Sequence, residues 1–361
     1  MTISNLELLA RRLEADIRAR GLQPGDRYLT ADEAGQMLSV SAVTAHRAMK
    51  LLSDRQILVR QRRAGTFVGK GVLRAAGARR KKVHLIVASD VGRDQEQALQ
   101  FLSPDLLSGI AAALPGASVQ LDVLPVSEGL GLVRELVTES LRDDAFAGAI
   151  LVRSTLEMQR YFEREGIAAV IYGTPHPTVT KLGSLDLDQA RIGELSAAYV
   201  RQRGYRRVQV LMFEHWAPGD NVFLTHFMRA LSQPGGPQVR VDIASLASDE
   251  AVIVETVRPM LDVVHRPDVI VARAAALGQP VAALAMSMGL ALPNEIDLLV
   301  ANYRTVKLEG FTAPYVAAVM DDRERGRMLG EMLRQMQDGS ELTEREKLIG
   351  VQFHLGVGST V

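Results

Sequence analysis

Cationic side chains crowd a short segment near the amino terminus, and their types suit contact with phosphate. Arg60, Arg62 and Arg63 lie within four residues of one another, directly after an apolar run and before a glycine. A protein core does not accommodate three neighbouring guanidinium groups, because each buried charge needs a partner. In nucleic-acid complexes such cations pair with backbone phosphates. The segment therefore indicates a polyanionic partner outside the protein.

Small polar residues precede this segment, in the first turns of a helix pattern. Ser41, Thr44 and His46 come first, and Arg47 and Lys50 follow. A helix that begins this way can enter the major groove of DNA and reach base edges. The alternative is an ordinary three-helix bundle with a basic face, and the arginine-rich hairpin after the helix favours DNA. The residues predicted to contact DNA are Thr30, Ser41, Ala42, Thr44, His46, Arg47, Lys50, Arg60, Arg62, Arg63, Gly65 and Thr66.

Charge is distributed unevenly along the chain. Residues 1–82 hold 17 Lys and Arg against 7 Asp and Glu, a net charge of +10. The remaining residues carry −10, because the whole chain has a net charge of zero. A basic first part on an acidic body favours a polyanion partner for the first part alone.

Motifs of enzymes are missing from the sequence. There is no His-Glu-x-x-His metal motif, no Gly-x-Gly-x-x-Gly motif and no complete phosphate-binding loop, and the seven histidines show no metal-ligand spacing. We therefore expect no enzyme activity, no metal and no cofactor. One alternative stays open, namely an α/β enzyme that processes a sugar or sugar phosphate and carries a nucleic-acid-binding appendage.

Three helices and a hairpin are predicted to position the basic cluster. Apolar residues at three- and four-residue spacing predict a first helix over residues 5–20. Thr30 and Glu33 form a capping-box pattern that begins a short second helix. Ser41 caps a third helix over residues 42–55, whose predicted inward side chains are Val43, Ala48, Leu51 and Leu52. The hairpin over residues 57–69 has its tip near Gly65.

From residue 83 onward, apolar strands alternate with helical segments, which predicts an α/β body with parallel sheets. Its length exceeds one ordinary sheet, so we expect two lobes. The predicted domains are residues 1–69 (DNA-binding), 70–82 (a basic linker without acidic residues) and 83–361 (effector binding and dimerisation). The predicted strands cover residues 83–89, 118–126, 147–154, 168–174, 207–213, 238–244, 268–273 and 296–302.

Composition places further bounds on the chain. It contains no cysteine, which fits a reducing compartment, and we expect a cytoplasmic location. The uncharged run over residues 274–292 contains Gln279 and Pro280 and is interpreted as a buried helix, so no membrane partner is expected.

The amino-terminal segment resembles the winged helix-turn-helix of GntR-type bacterial regulators. The resemblance rests on PGDR, on the short helix before VS, on the T..RA...L pattern of the third helix and on the closing GTFV, over residues 5–69. It implies that Ser41, Thr44, Arg47 and the wing over residues 62–66 touch DNA. The chain departs from the family pattern at three positions, which are Asp32 and Ala42, where arginines are usual, and Arg63, where a glycine is usual.

The body resembles the effector domain of LacI/GalR-type repressors, which has a periplasmic-binding-protein-like fold. The fragments that carry this resemblance are FAGAILVRS, GSLDLDQARIGELSAAYVRQRGYRRVQVLM, MGLALPNEIDLLVAN and VQFHLGVGST. A GntR-type head on such a body is the arrangement of arabinose-repressor-like regulators. The resemblance implies a lobe of residues 83–185 and 318–345, a second lobe of 186–317 and 346–361, and a ligand in the cleft between them.

The cleft lacks the polar residues with which the LacI-type family usually meets sugars. Phe223, the pair Arg273–Ala274 and Tyr303 stand in their places. Asp188 and Gln189 match a family position that we interpret as structural, a crossover turn and helix cap. The residues predicted to bind an effector, all just after predicted strands, are Asp90, Arg93, Arg153, Trp216, Arg273, Asn302 and Arg304.

These residue types favour an effector other than a simple neutral sugar, with an anionic group paired by Arg153 or Arg273. Surface ion pairing of those arginines, or a cleft that no longer binds a ligand and only holds a dimer together, are alternatives that stay open. The predicted function is a homodimeric DNA-binding transcription regulator, a repressor, controlled by a small sugar-like or anionic effector.

Overall fold

A computed structural model of the chain separates into two compact units, residues 1–80, here called the head, and residues 81–361, here called the body. The structure describes residues 5–61, 65–70, 81–89, 102–143, 145–234, 238–247, 249–261, 266–302, 312–338, 342 and 344–356.

The head consists of three helices and a two-stranded antiparallel hairpin. Its elements are α1 (Asn5–Ala19), α2 (Ala31–Leu38), α3 (Ala42–Asp54), β1 (Leu58–Gln61) and β2 (Gly65–Val68). The apolar faces of the helices meet in one small core, which contains Leu13, Ile17, Met49 and Leu52. These elements agree with the sequence prediction to within about one residue at each helix end, as expected where caps and periodicity coincide.

One predicted core residue of the head is wrong. The helix pattern predicts that Val43 packs inward, but its side chain is 65% exposed. It is the second residue of α3 and lies on the exposed face of the helix, which also carries Arg47 and Lys50. Ala45, Ala48 and Met49 form the buried face instead.

The first lobe of the body is built on a fully parallel six-stranded sheet of order β13-β7-β6-β5-β3-β4. Its strands are β3 (Lys81–Ser89), β4 (Ala117–Pro125), β5 (Phe146–Val152), β6 (Ala169–Tyr172), β7 (Gly183–Leu187) and β13 (Glu346–Ile349). The helices before the first crossover are α4 (Pro104–Ala113), α5 (Gly129–Arg142) and α6 (Leu156–Glu165). Near-continuous burial of β3 and β5 shows that both sheet faces are covered.

The second lobe has a six-stranded sheet of order β14-β12-β11-β10-β8-β9, parallel except for the β12–β14 pair. Its strands are β8 (Arg207–Phe213), β9 (Arg240–Leu246), β10 (Val269–Ala272), β11 (Asp297–Val300), β12 (Tyr315–Ala318) and β14 (Val351–His354). Its helices are α7 (Gln189–Gln202), α8 (Pro218–Leu231), α9 (Glu250–Leu261) and α10 (Ala275–Ser287), and a last helix, α11 (Asp322–Gln337), returns to the first lobe.

The chain passes between the lobes after β7, after β12 and after β13, so neither lobe is contiguous in sequence. The eight predicted strands are present, and the α/β fold with two parallel-rich sheets is confirmed. The expected start of the last lobe-two segment at residue 346 is wrong, because residues 346–349 form β13 beside β7 in lobe one.

Helices α4 and α11 cross at close range, and glycines permit that approach. A Cβ atom placed on Gly326 would lie 2.1 Å from the carbonyl oxygen of Leu106. A Cβ atom on Gly109 would lie 2.0 Å from the carbonyl oxygen of Arg323. Because both neighbours are backbone atoms, only a shift of one helix could make room for a side chain.

Replacing Gly326 by alanine should therefore lower the free energy of unfolding of the body by about 1–3 kcal/mol, the usual cost of overpacking. Unfolding in urea, followed by the fluorescence of Trp216, the single tryptophan, measures it. Gly131 of α5 is the control, because a Cβ atom there would meet nothing within 4 Å. Gly131→Ala should raise stability by roughly 0.5–1 kcal/mol through helix propensity. Equal responses of the two variants would contradict this account of the α4–α11 crossing.

Candidate nucleic-acid interface and inter-lobe cleft

The start of α2 is fixed by the predicted capping box. The Thr30 hydroxyl accepts a hydrogen bond from the Glu33 amide at 3.3 Å, and the Thr30 amide donates to a Glu33 carboxylate oxygen at 2.7 Å. The hydrogen bonds that the Thr30 amide and the Thr30 hydroxyl donate to the Glu33 carboxylate hold the pKa of Glu33 below its usual value. Thr30 is thus engaged in the cap of α2. The amino terminus of a helix is suited to contact with a phosphate.

The turn between α2 and α3 is tight, and α3 begins with a serine cap. Ser39 adopts a left-handed conformation with φ of 57°. Ser41 accepts a hydrogen bond from the amide of Thr44 at 3.2 Å, and the two hydroxyl oxygens lie 2.8 Å apart. This cap orients the first turn of α3 and leaves Ala42 partly exposed beside it.

One face of α3 is open to solvent and carries the side chains that could reach DNA. Val43, His46, Arg47 and Lys50 are all exposed and follow a spacing of three and four residues. This spacing places them in one stripe, opposite the buried face of the helix. The stripe combines cationic groups, an imidazole and one apolar side chain, which is the mixture that phosphates and major-groove base edges can contact.

The hairpin strand β1 lies against this stripe. The two terminal nitrogens of Arg60 each lie 3.1 Å from a ring nitrogen of His46. The contact brings a cation of the wing to the exposed face of α3. The structure therefore brings Arg60, His46, Arg47 and Lys50 together on one surface of the head.

The remaining wing residues differ in how well they are placed for contact with DNA. Gly65 opens β2 with φ of +118°, a conformation that favours glycine. The side chain of Thr66 is only 9% exposed and its carbonyl accepts a hydrogen bond from Tyr28, which makes it poorly placed for contact through its side chain. Arg62 and Arg63 lie outside the described residues.

In the body, four of the seven predicted effector residues are described, and all four follow the carboxyl ends of strands. These are Arg153 after β5, Trp216 after β8, Arg273 after β10 and Asn302 after β11. The carboxyl ends of parallel strands are where α/β folds bind ligands. Asp90, Arg93 and Arg304 lie outside the described residues.

Arg153 extends from the first lobe to the second. Its backbone has φ of 51°, a rare conformation for a residue other than glycine. Its guanidinium group donates a hydrogen bond to the carbonyl of His215 at 3.2 Å and lies 5.0 Å from the ring centre of Phe213. His215 and Phe213 belong to lobe two, so Arg153 spans the cleft.

Trp216 and Asn302 follow two strands of the lobe-two sheet, β8 and β11, at their carboxyl ends. The indole N–H of Trp216 donates to the hydroxyl of Ser245 at 3.1 Å, and the ring is partly exposed. The side-chain oxygen of Asn302 is buried and has no hydrogen-bond partner within the described part of the chain. A buried acceptor without a partner is costly, so a donor from a ligand or from water would stabilise it.

Arg273 is already engaged within the protein. The side chain is 5% exposed, and its Nε lies 2.8 Å from a carboxylate oxygen of Asp220. Its Nη2 donates to Gln189 at 2.6 Å, and the guanidinium group lies 4.9 Å from the ring centre of Phe223. Asp220 therefore compensates the charge of Arg273, and Phe223 covers one face of its guanidinium plane.

The same contacts continue into the first lobe through Gln189. Its amide donates to Asp186 at 3.0 Å, and the Asp186 carboxylate also accepts hydrogen bonds from the Thr174 hydroxyl and from the amide of Leu187. Burial raises the pKa of Asp186, while these hydrogen bonds and the charge of Arg273 oppose the shift. We call Thr174, Asp186, Gln189, Asp220 and Arg273 the crossover network, because it joins the two lobes beside the first crossover.

Sequence patterns predict only part of this network. Asp188 accepts a hydrogen bond from the amide of Arg191 and caps α7, as its structural interpretation predicted. Gln189, interpreted in the same way, in fact links the two lobes. Asp186 is absent from the predicted site residues, although a carboxylate between the leucines of GSLDL signals a buried charge that needs partners.

Another polar cluster lies in the first lobe, beside a cavity of about 360 Å³. His84 contacts Asp122 at 2.7 Å through Nδ1 and the hydroxyl of Ser140 at 2.9 Å through Nε2. The order serine, histidine, aspartate is that of a hydrolytic triad. Ser140, however, lies in the last turn of α5, where carbonyl oxygens rather than N–H groups are unpaired and cannot stabilise an oxyanion. We interpret the cluster as a tie between β3, β4 and α5.

Within the described ranges, no group of three or more histidine and carboxylate side chains is arranged to hold a metal ion. No helix within these ranges is both long enough and apolar enough to cross a bilayer.

The comparisons with known proteins agree with both units. Residues 7–68 match the model of the family described as bacterial regulatory proteins, gntR family. No curated protein matches the chain significantly.

Solved structures of regulators resemble most of the chain. A regulatory protein of LacI family from Chloroflexus aggregans has a TM-score of 0.62 and 15% identity, over 76% of this chain and 97% of that one. A LacI family transcription regulator from Clostridium acetobutylicum has a TM-score of 0.61 and 11% identity, over 76% and 99%. The transcriptional regulator CelR, solved with cellobiose, has a TM-score of 0.61 and 15% identity, over 89% and 92%.

At these identities the structural likeness shows the fold, and both resemblances seen in the sequence are confirmed. The proteins that this chain resembles are transcription regulators rather than enzymes. The head thus matches the gntR family model over residues 7–68, and the body has the fold of LacI-type regulators.

Proposed function

We propose that the chain is a homodimeric, cytoplasmic repressor that binds duplex DNA through its head and releases it in response to a small molecule in the cleft of its body. The observation that carries the proposal is the exposed stripe of α3 with Arg60 of the wing beside it, within the residues that match the gntR family. The domain limits proposed are residues 1–69 for DNA binding, 70–82 for the linker and 83–361 for effector binding and dimerisation.

Two residues of this exposed surface, Arg47 and Arg60, are suited to direct contact with DNA. Arg47 lies at the centre of the exposed stripe of α3, where its guanidinium group can donate two hydrogen bonds to guanine. Arg60 lies at the edge of the stripe and can neutralise a phosphate. We propose that Arg47 contributes to the choice of sequence and Arg60 to affinity for any sequence.

Arg47→Ala should weaken binding to the operator by roughly 1–3 kcal/mol if Arg47 contacts a base, while the body stays folded. Binding is measured with a labelled duplex selected by the full-length chain. Arg240→Ala is the control, since Arg240 is an equally charged, exposed residue of β9 in the body. An unchanged footprint and affinity for the Arg47 variant would remove this residue from the interface.

The described cleft residues favour Arg153 over Arg273 as the partner of an effector. Arg273 is buried and paired with Asp220 beside the first crossover, whereas Arg153 extends across the cleft from the first lobe to the second. An anionic group would form a stronger hydrogen bond with Arg153 than a carbonyl does. The ring of Trp216 and the buried acceptor of Asn302 suit a polar, sugar-like molecule, so we propose an effector that is sugar-like, anionic or both.

Two measurements identify the effector and test its charge. Native mass spectrometry of the full-length chain, purified without denaturation, detects a small molecule retained from the host. Calorimetry then compares sugar phosphates and sugar acids with unmodified pentoses and hexoses. We expect tighter binding of the anionic compounds and its loss in Arg153→Ala. Tight binding of an unmodified sugar, unaffected by that variant, would contradict the proposed role of Arg153.

Dimerisation is proposed from exposed apolar residues on the body. Ile243 of β9, Val252 of α9 and Met286 of α10 are exposed although they are large and apolar. Elements α9 and α10 pack against each other, and β9 leads into α9 at the edge of the lobe-two sheet. A partner subunit that covers them would hold two heads at a fixed spacing, so that each α3 could read one half-site.

A further inference from the structure

Among the large apolar side chains described in the head, the most exposed one lies where the head is expected to meet DNA. Val43 is 65% exposed, is the second residue of α3 and shares its face with His46, Arg47 and Lys50. Its branched side chain has few conformations to lose in a helix, so it presents a rigid apolar surface. Within the head such a surface has no purpose in packing, since the core of α3 is complete without it.

The polar residues beside Val43 are already occupied. The hydroxyl of Ser41 accepts the Thr44 amide and lies 2.8 Å from the Thr44 hydroxyl, so both residues serve the cap of α3. Ala42, the other residue of this first turn, offers only a methyl group. The leading turn of α3 therefore presents an apolar surface, and the first long hydrogen-bonding side chains of the stripe, His46 and Arg47, come one turn later.

We propose that Val43 reads the methyl group of a thymine in the operator. The C5-methyl group of thymine is the apolar group that a base pair displays in the major groove, and it distinguishes thymine from every other base in DNA. The leading turn of the helix enters the groove first. The inference rests on the proposed binding of duplex DNA by α3 and deepens it, because it assigns a base to one position of each half-site.

The experiment removes the methyl group from the DNA and the side chain from the protein in turn. A duplex is first selected from random sequences by the full-length chain. Each thymine is then replaced by uracil, in both half-sites together, and affinity is measured for the wild type, Val43→Ala and Val43→Thr. Val319→Ala is the matched control, because Val319 is 59% exposed and lies in the body. Thermal unfolding of each variant confirms that the head remains folded.

At one thymine position the wild type should bind the uracil duplex about fourfold more weakly per half-site, which corresponds to the ~0.8 kcal/mol of one buried methyl-sized group. Val43→Ala should bind thymine and uracil duplexes equally there, and Val43→Thr, which keeps a methyl group, should retain part of the difference. Val319→Ala should behave as the wild type.

An identical uracil penalty at every position in the wild type and in Val43→Ala would overturn the assignment of Val43 while leaving DNA binding intact. Failure to select any duplex would instead overturn the proposed function, and this inference with it.

Discussion

Raising the salt concentration from 50 to 200 mM should weaken the binding of this chain to its operator by about 10³–10⁵-fold. This is the loss expected for about 6–10 phosphate contacts, because each neutralised phosphate releases condensed counterions. The first 82 residues have a net charge of +10, which supplies enough cations for that number of contacts. A titration of affinity against salt, plotted on logarithmic axes, measures the number of contacts from its slope.

Single substitutions measure how much each residue contributes to this slope. Arg60→Gln should reduce the steepness of the slope by about one, the share of one phosphate contact. Arg240→Gln should leave it unchanged, since Arg240 belongs to the acidic body and pairs with Asp242. A slope near zero for the wild type, or equal effects of the two variants, would show that the basic head does not bind the phosphate backbone.

Arg273→Ala should destabilise the body by about 3–5 kcal/mol, because it leaves buried carboxylates without their cation. Asp220 would lose its partner at 2.8 Å, and Asp186 would lose a nearby positive charge that lowers its pKa. Unfolding in urea followed by circular dichroism measures the change. The double variant Arg273→Leu, Asp220→Leu should recover part of the loss, since it removes both charges of the pair.

The destabilisation caused by Arg273→Ala should change with pH in a defined direction. The folded-state pKa of Asp186 is raised above its value in the unfolded chain by burial, so the folded protein binds the proton more tightly. Ionisation of Asp186 therefore lowers the free energy of unfolding as the pH rises from the pKa of the unfolded chain, about 4, through the raised pKa of the folded protein. Loss of Arg273 raises that pKa further, so the destabilisation should grow with pH and shrink near pH 4. A pH-independent difference between variant and wild type would contradict the electrostatic account of the crossover network.

Much of the fold is predictable because local signals and long-range packing agree. The caps at Thr30 and Ser41 act within four residues, and the structure contains both. Strands β3, β5, β8 and β10 are predictable from continuous apolar runs, which a sheet covered on both faces requires.

Other strands cannot be predicted from such runs. Strand β7 lacks an apolar run, since it contains Ser184 and Asp186. The Asp186 carboxylate is stabilised there by hydrogen bonds from Thr174 and Gln189, which lie outside the strand. Strands β12, β13 and β14 are four residues each and gain their stability from pairing across the crossovers, which no local pattern records.

The candidate sites divide in the same way. The proposed DNA surface is made by one helix and its adjoining hairpin, so sequence spacing alone brings Arg47, Lys50 and Arg60 together. Spacing does not predict the exposure of Val43, since an apolar residue in a helix pattern favours the core unless the position of the helix in the fold is known. In the cleft, the sequence pattern places Arg273 at a strand end but gives no sign of its pairing with Asp220, which comes from a different helix.

The central claim is that the head recognises one DNA sequence, and selection of DNA fragments from the genome that encodes the chain tests it most directly. Full-length protein is incubated with the fragments at low salt, and the bound fragments are mapped by footprinting. The account predicts an enriched site with two related half-sites, spaced by one helical turn or a multiple of it. Binding that shows no preference for any fragment over unrelated competitor DNA would contradict it.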